Sequence, residues 1–157
     1  MRATEGVRVV AFSLALVFVA GTDSAFAQAA KESPLDKKVA ALIEKTLKRK
    51  TERGAFSELE ALGCAAVPSI IKRMDDRRKL ADPRISLMNK SPDAFEGMRH
   101  YGPELVVDAL AAILNQVTGQ DFGFIYNGAS DAERAKAIKG WRDFLKATPP
   151  EMLCGGR

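Results

Sequence analysis

The chain has one histidine, His100, two cysteines, Cys64 and Cys154, and one tryptophan. Each scarcity removes a class of chemistry. A two-histidine zinc site is excluded, and the cysteines are not spaced as metal ligands. No Gly-x-Ser-x-Gly elbow presents a nucleophile for His100 to activate. No glycine-rich turn ahead of a helix carries the lysine of a phosphate-binding loop. A hydrolase acting through Asp121 and Glu104 has no spacing to support it. The expectation is a protein without catalytic residues, cofactor or metal.

Long apolar runs are equally scarce. Val9–Ala20 is the main one, interrupted only by Ser13, and it is shorter than the ~20 residues a membrane-spanning helix needs. Arg2 and Arg8 supply a positive start, and Ala25-Phe26-Ala27 offers small residues where an export peptidase reads them. This order predicts a signal peptide over 1–27, cut after Ala27, and a periplasmic or extracellular protein. With no cysteine near the cut, no lipid-attached end and no stable membrane anchor are expected. Residues 28–33 read as a flexible start.

Lysine and arginine number 24 against 20 acidic residues, a net charge of +4. That balance favours solubility and falls short of a nucleic-acid footprint. The cations do cluster, in Lys45, Lys48, Arg49, Lys50 and Arg53 and again in Arg77, Arg78 and Lys79. Charge runs most often serve as solvated helix faces. The sharper reading is an anionic surface met through Lys45, Lys48, Arg49, Arg77 and Arg78. In an oxidising compartment Cys64 and Cys154 are a candidate disulfide, tying the tail to the core. The alternative is a buried Cys64 with Cys154 free or bridged to another chain.

Helical periodicity fills most of the remainder. Ser33-Pro34 reads as a cap followed by first-turn proline, opening a helix over about 34–50 with Val39, Leu42 and Ile43 inward. Glu44 and Lys48 in it are spaced as an i,i+4 ion pair. Gly54 breaks the pattern. Ala55, Phe56, Leu59 and Leu62 predict a short second helix stopped by Gly63, and Pro68 opens a third that ends in the charges of 75–79. Ile85 and Leu87 alternate with polar neighbours, a hint of extended chain. Ser91-Pro92 repeats the cap signal, with Phe95, Met98 and Tyr101 as the buried side of a one- to two-turn helix. Val106, Leu110, Ile113, Leu114 and Val117 form a broad stripe over 103–117, which predicts an enclosed helix stopped by Gly119. Ser130 and Glu133 form a capping box for a helix over 130–146 that buries Ala135, Ile138, Trp141 and Leu145. The fold class is all-α, with a single helical domain over 34–147 and a C-terminal tail over 148–157.

The stretch FSELEALGCAAVPSIIKRMDD, within Ala55–Asp76, resembles a HEAT-like repeat: a helix ending in Leu-Gly, a corner, then Val-Pro opening a second helix that ends in acidic residues. The resemblance implies a stack of antiparallel helix pairs, about five main helices and one short one, with an irregular 77–102 connection. It also implies an exposed concave face that binds another protein. No binding residue transfers, because the repeat motif is structural.

Two segments are candidate binding sites. Asp121 and Asn127 bracket Phe122, Phe124 and Tyr126, a composition able to hold a sugar or a peptide. The opposing reading is a loop that pins itself down by burying its aromatics. Arg99, His100 and Tyr101 precede a Gly-Pro corner and are a second polar cluster. The sequence therefore points to an exported, non-catalytic protein-binding adaptor of the HEAT-like type. The alternative is a small-ligand, glycan or peptide-binding domain centred on 121–128.

Overall fold

The computed structural model describes residues 32–89 and 95–155. The expected signal peptide, the start up to Lys31 and the Ser91-Pro92 cap lie outside them. Five α-helices follow in order: α1 (Pro34–Thr46), α2 (Glu52–Ala61), α3 (Val67–Ile71), α4 (Val106–Thr118) and α5 (Asp131–Ala147). Strands β1 (Ile85–Met88) and β2 (Met98–Tyr101) form an antiparallel pair between α3 and α4. The class is all-α, with this hairpin as its one sheet among the described residues.

α4 is the centre. Nearly every residue from Val106 to Thr118 is buried, and α2, α3 and α5 pack on it. Gly119 ends it with φ of 74°, the left-handed conformation that only glycine adopts without strain. Its first turn is met by chain that has just left α3. The carbonyls of Asp76 and Arg78 accept the Val107 and Val106 N–H groups at 3.1 and 2.9 Å, which satisfies donors that a helix start leaves unpaired. This demand accounts for the brevity of α3. Its regular part closes at Ile71, and 72–75 run on as turns before the chain extends past α4.

Other boundaries also move. α1 stops at Thr46, because the Thr51 hydroxyl donates to the Lys45 carbonyl at 2.8 Å and a new turn starts on the Lys48 carbonyl. α2 begins at Glu52 and carries Gly54 within it. Glu44 bonds Arg78 at 2.7 Å in place of the expected Lys48. Between Glu52–Ala61 and Gly63–Ile71 the chain turns by 104°, and α2 packs most extensively on α1. Met98–Tyr101 is strand where a helix was expected: Phe95 is fully exposed and Met98 partly so, so neither has a helical core face to join.

α5 buries Arg134 and Ala137 rather than Ala135 on its inner face. Arg134 donates to both oxygens of the fully buried Asp108, at 2.8 and 2.9 Å. Asp108 in turn accepts the Glu104 and Leu105 N–H groups at 3.1 and 3.0 Å. Farther along α5, Gly140 leaves room for the Phe122 ring. A Cβ there would sit 2.5 Å from that side chain, which packs edge-on against Trp141 with centroids 4.8 Å apart. Past α5 the tail is held too. Leu153 is buried, and Cys64 and Cys154 form a disulfide closing a loop of 90 residues, with Cα atoms 6.0 Å apart. The chain-entropy model assigns such a closure roughly 4–5 kcal/mol.

α1 is held by a carboxylate as well. Ser33 and Asp36 form a reciprocal capping box. Asp36 also accepts the Ser69 hydroxyl at 2.7 Å and the Lys72 ammonium at 3.0 Å. These bonds, Ser69 first and Lys72 second, hold its carboxyl well below the usual aspartate range.

Two outcomes are expected in urea unfolding. Arg134→Ala leaves Asp108 charged, buried and short of partners, and should cost about 3–5 kcal/mol, whereas Asp108→Leu with Arg134→Met should recover most of that loss. Asp36 has a depressed folded pKa, so its stabilisation is complete above its ordinary value of about 4 and is lost as pH falls through that value toward the folded one. Asp36→Asn should therefore be less stable at pH 7 and lose less stability than the parent between about pH 4 and pH 2.

Candidate functional site

The local alternation of the hairpin decides what its residues can do. Pairing is Ile85 with Tyr101, Ser86 with His100, Leu87 with Arg99 and Met88 with Met98. Successive strand residues face opposite sides, so Ile85 and Leu87 are buried while Ser86 and Met88 are exposed. His100 and Tyr101, adjacent in sequence, are thereby separated. Tyr101 turns inward to meet the Tyr126 ring edge-on, with centroids 5.7 Å apart. His100 turns outward, its Nδ1 2.9 Å from the Ser86 hydroxyl.

On the outward side lies a cleft of about 620 Å³ between α2 and the hairpin. Phe56 and Ile85, both buried, contribute its apolar lining together with Met98. Arg49 comes from the turn between α1 and α2, Arg53 from the first turn of α2, Arg84 from the approach to β1, and Ser86 and His100 from the strands. Glu52 locks the two sides together. Its buried carboxylate accepts the Asp82 N–H at 3.1 Å, and burial pushes its pKa up. Arg84 is held by Asp82 through two bonds of 2.9 and 3.0 Å, which lower the Asp82 carboxyl. Arg49 and Arg53 form no ion pair among the described residues. The cleft thus presents three guanidinium groups against two carboxylates, Glu52 and Asp82, together with an apolar lining. Arg84 is bonded to Asp82, and Arg49 and Arg53 lie near the carboxylates without close contact. Planar guanidinium groups suit carboxylates, which they can grip by two parallel bonds.

Several cations of the basic clusters seen in the sequence are paired with carboxylates. Arg77 pairs with Asp131 at 3.1 Å, and Arg78 with Asp76 and Glu44 at 2.6 and 2.7 Å. Lys45 lies 3.9 Å from Glu58. Of that set, Arg49 joins the cleft. Glu52, Arg53, Asp82, Arg84 and Ser86 were not recognised as site residues from sequence. The Ile85/Leu87 alternation was the available signal, since it places Ser86 on the outer face.

The 121–128 segment is a packed loop. Phe122 lies against Trp141 and Phe144, and Ile125 and Tyr126 are buried. The Asp121 carboxylate accepts the Gly123 N–H at 2.7 Å, and Asn127 accepts the Gly102 N–H at 2.7 Å. Phe124 alone of its aromatics stands out, 85% exposed. Asn127 and Tyr126 therefore join Tyr101 and Gly102 in holding the loop to the end of the hairpin. Arg99 lies opposite Leu87, half-buried.

The Tyr126 hydroxyl is buried with no hydrogen bond of good geometry, the Asp121 carboxylate being the acceptor nearby. Burial, with the nearby Asp121 charge adding to it, pushes the phenol far up. Tyr126→Phe should therefore leave stability unchanged or raise it by up to about 1 kcal/mol, since it removes a desolvated group that lacks a well-formed hydrogen bond. Urea unfolding checks this, and a loss above 1 kcal/mol would mean that the phenol is bonded.

Comparison with family models, curated proteins and solved structures returns no match to this chain.

Proposed function

We propose that the chain is an exported, non-catalytic binding module that holds an acidic segment of a partner protein in the cleft between α2 and the β1–β2 hairpin. One observation carries this reading: Arg49 and Arg53, without ion-pair partners among the described residues, line the same cleft as Arg84. Exposed cations gathered along one concave cleft favour an anionic guest. Export is supported by the signal-like residues 1–27 and by the Cys64–Cys154 disulfide, a bond suited to oxidising compartments. Protein binding is what the HEAT-like resemblance at Ala55–Asp76 implies, with the recognition surface here on a cleft beside α2. The glycan- or peptide-binding alternative at 121–128 has the exposed Phe124, Asp121 and Asn127 in its favour, but the two polar residues already bond backbone N–H groups.

The test is fluorescence anisotropy of a labelled ten-residue peptide rich in Asp and Glu against the secreted protein. Binding should weaken steeply with salt. Arg49→Ala combined with Arg53→Ala should weaken it at least tenfold, about 1.4 kcal/mol. Lys139→Ala, an exposed change on α5, should leave it unaltered. Equal affinity for parent and double variant would refute the proposal.

A further inference from the structure

The cleft continues into an apolar surface that its arginines do not explain. Met88 and Met98 face each other across the hairpin, 62% and 41% exposed, on the same side as Ser86 and His100. Phe95, just before β2, is fully exposed at 101%. Three large apolar side chains in solvent at one hairpin end are a cost to a protein that leaves them uncovered. Methionine adapts its shape to varied apolar partners, which suits a recognition surface. The backbone beneath is fixed, because Gln116 on α4 donates to the Met88 carbonyl.

Resting on the acidic-segment reading above, we propose that the partner segment is bipartite: carboxylates for Arg49, Arg53 and Arg84, then a large apolar side chain for the Met88–Met98 face. The spacing follows from the strand. Arg84 and Met88 are four residues apart on nearly extended chain, about 13 Å at roughly 3.3 Å per residue. An extended segment covers that distance in about four residues. Its apolar side chain therefore falls three to five residues from its acidic group. Charge complementarity at one end and apolar contact at the other fix both the location and the direction of the segment. A peptide fits better than a bilayer because the arginines and Met98 line a concave cleft that a flat membrane surface does not enter.

The experiment uses the secreted protein and three labelled peptides: one acidic only, one acidic with Phe four residues from the last Glu, and one with that Phe ten residues away. The four-residue peptide should bind at least tenfold tighter than either other. Met88→Ser, an exposed change outside the cleft lining and compatible with folding, should cut that gain and leave acidic-only affinity unchanged, and adding Met98→Ser should erase the gain. Arg49→Ala with Arg53→Ala should weaken all three. A four-residue peptide no tighter than the acidic one, or a gain that survives the methionine changes, overturns the bipartite proposal while acidic binding stands. Binding to phosphatidylglycerol vesicles that depends on Met88 and Met98, with no peptide gain, assigns the apolar face to a membrane and overturns it too. Failure of all three peptides removes the acidic-segment reading and this inference together.

Discussion

The bond between Asp108 and Arg134 is the constraint around which the rest is arranged. It lies between the enclosed helix α4 and the last helix α5, where a charge of either sign alone would be costly to bury. Asp108 does two tasks at once. It caps the start of α4 through the Glu104 and Leu105 N–H groups, and it fixes the angle at which α5 docks. Glu104, which also accepts from Arg134 at 3.2 Å, extends the pairing to the surface. Apolar contact alone would let α5 slide along α4. A two-pronged bond to one buried carboxylate leaves little such freedom, because both prongs lose geometry with any shift.

From that fixed pair the remaining parts take their places. Trp141, a few residues beyond Arg134, receives the Phe122 ring, and the 121–128 loop is thereby closed over the end of α5. Tyr126 and Asn127 then reach the end of β2 through Tyr101 and Gly102. The hairpin is thus held from the inside by residues that face away from the cleft. Its outer face remains free of structural duties, and that is where Ser86, His100, Met88 and Met98 stand. The opposite side of the cleft is α2, joined to the hairpin approach by Glu52.

Much of the helical framework was legible because its signals are local. Ser33-Pro34, Gly119 and the Ser130–Glu133 box act within one turn, and each marks a boundary to within a residue. The stripe from Val106 to Val117 announced an enclosed helix. Errors arose where distant chain decides the outcome. α3 is shortened by donors on α4 more than thirty residues later in the chain, and Gly54 stays helical inside α2. Arg134 was invisible as a core residue, since nothing near it in sequence names Asp108 as its partner. The cleft was hidden for the same reason: Arg53, Arg84 and His100 come from three segments. The hint of extension at Ile85 and Leu87 was sound, but the helical reading of 91–101 kept His100 beside Tyr101. A strand sends them to opposite faces.

The Cys64–Cys154 bond also sets a mechanical route through the molecule. Tension applied between the two ends of the chain runs along α1 and α2 to Cys64, then crosses the sulfur–sulfur link to Cys154. Everything from residue 65 to residue 153 is bypassed, so the hairpin, α4 and α5 bear no load through their backbone. The two walls of the cleft fall on different sides of this divide. Pulling strains the wall that carries Arg53 and spares the wall that carries His100, so a stretching force acts on the cleft from one side only.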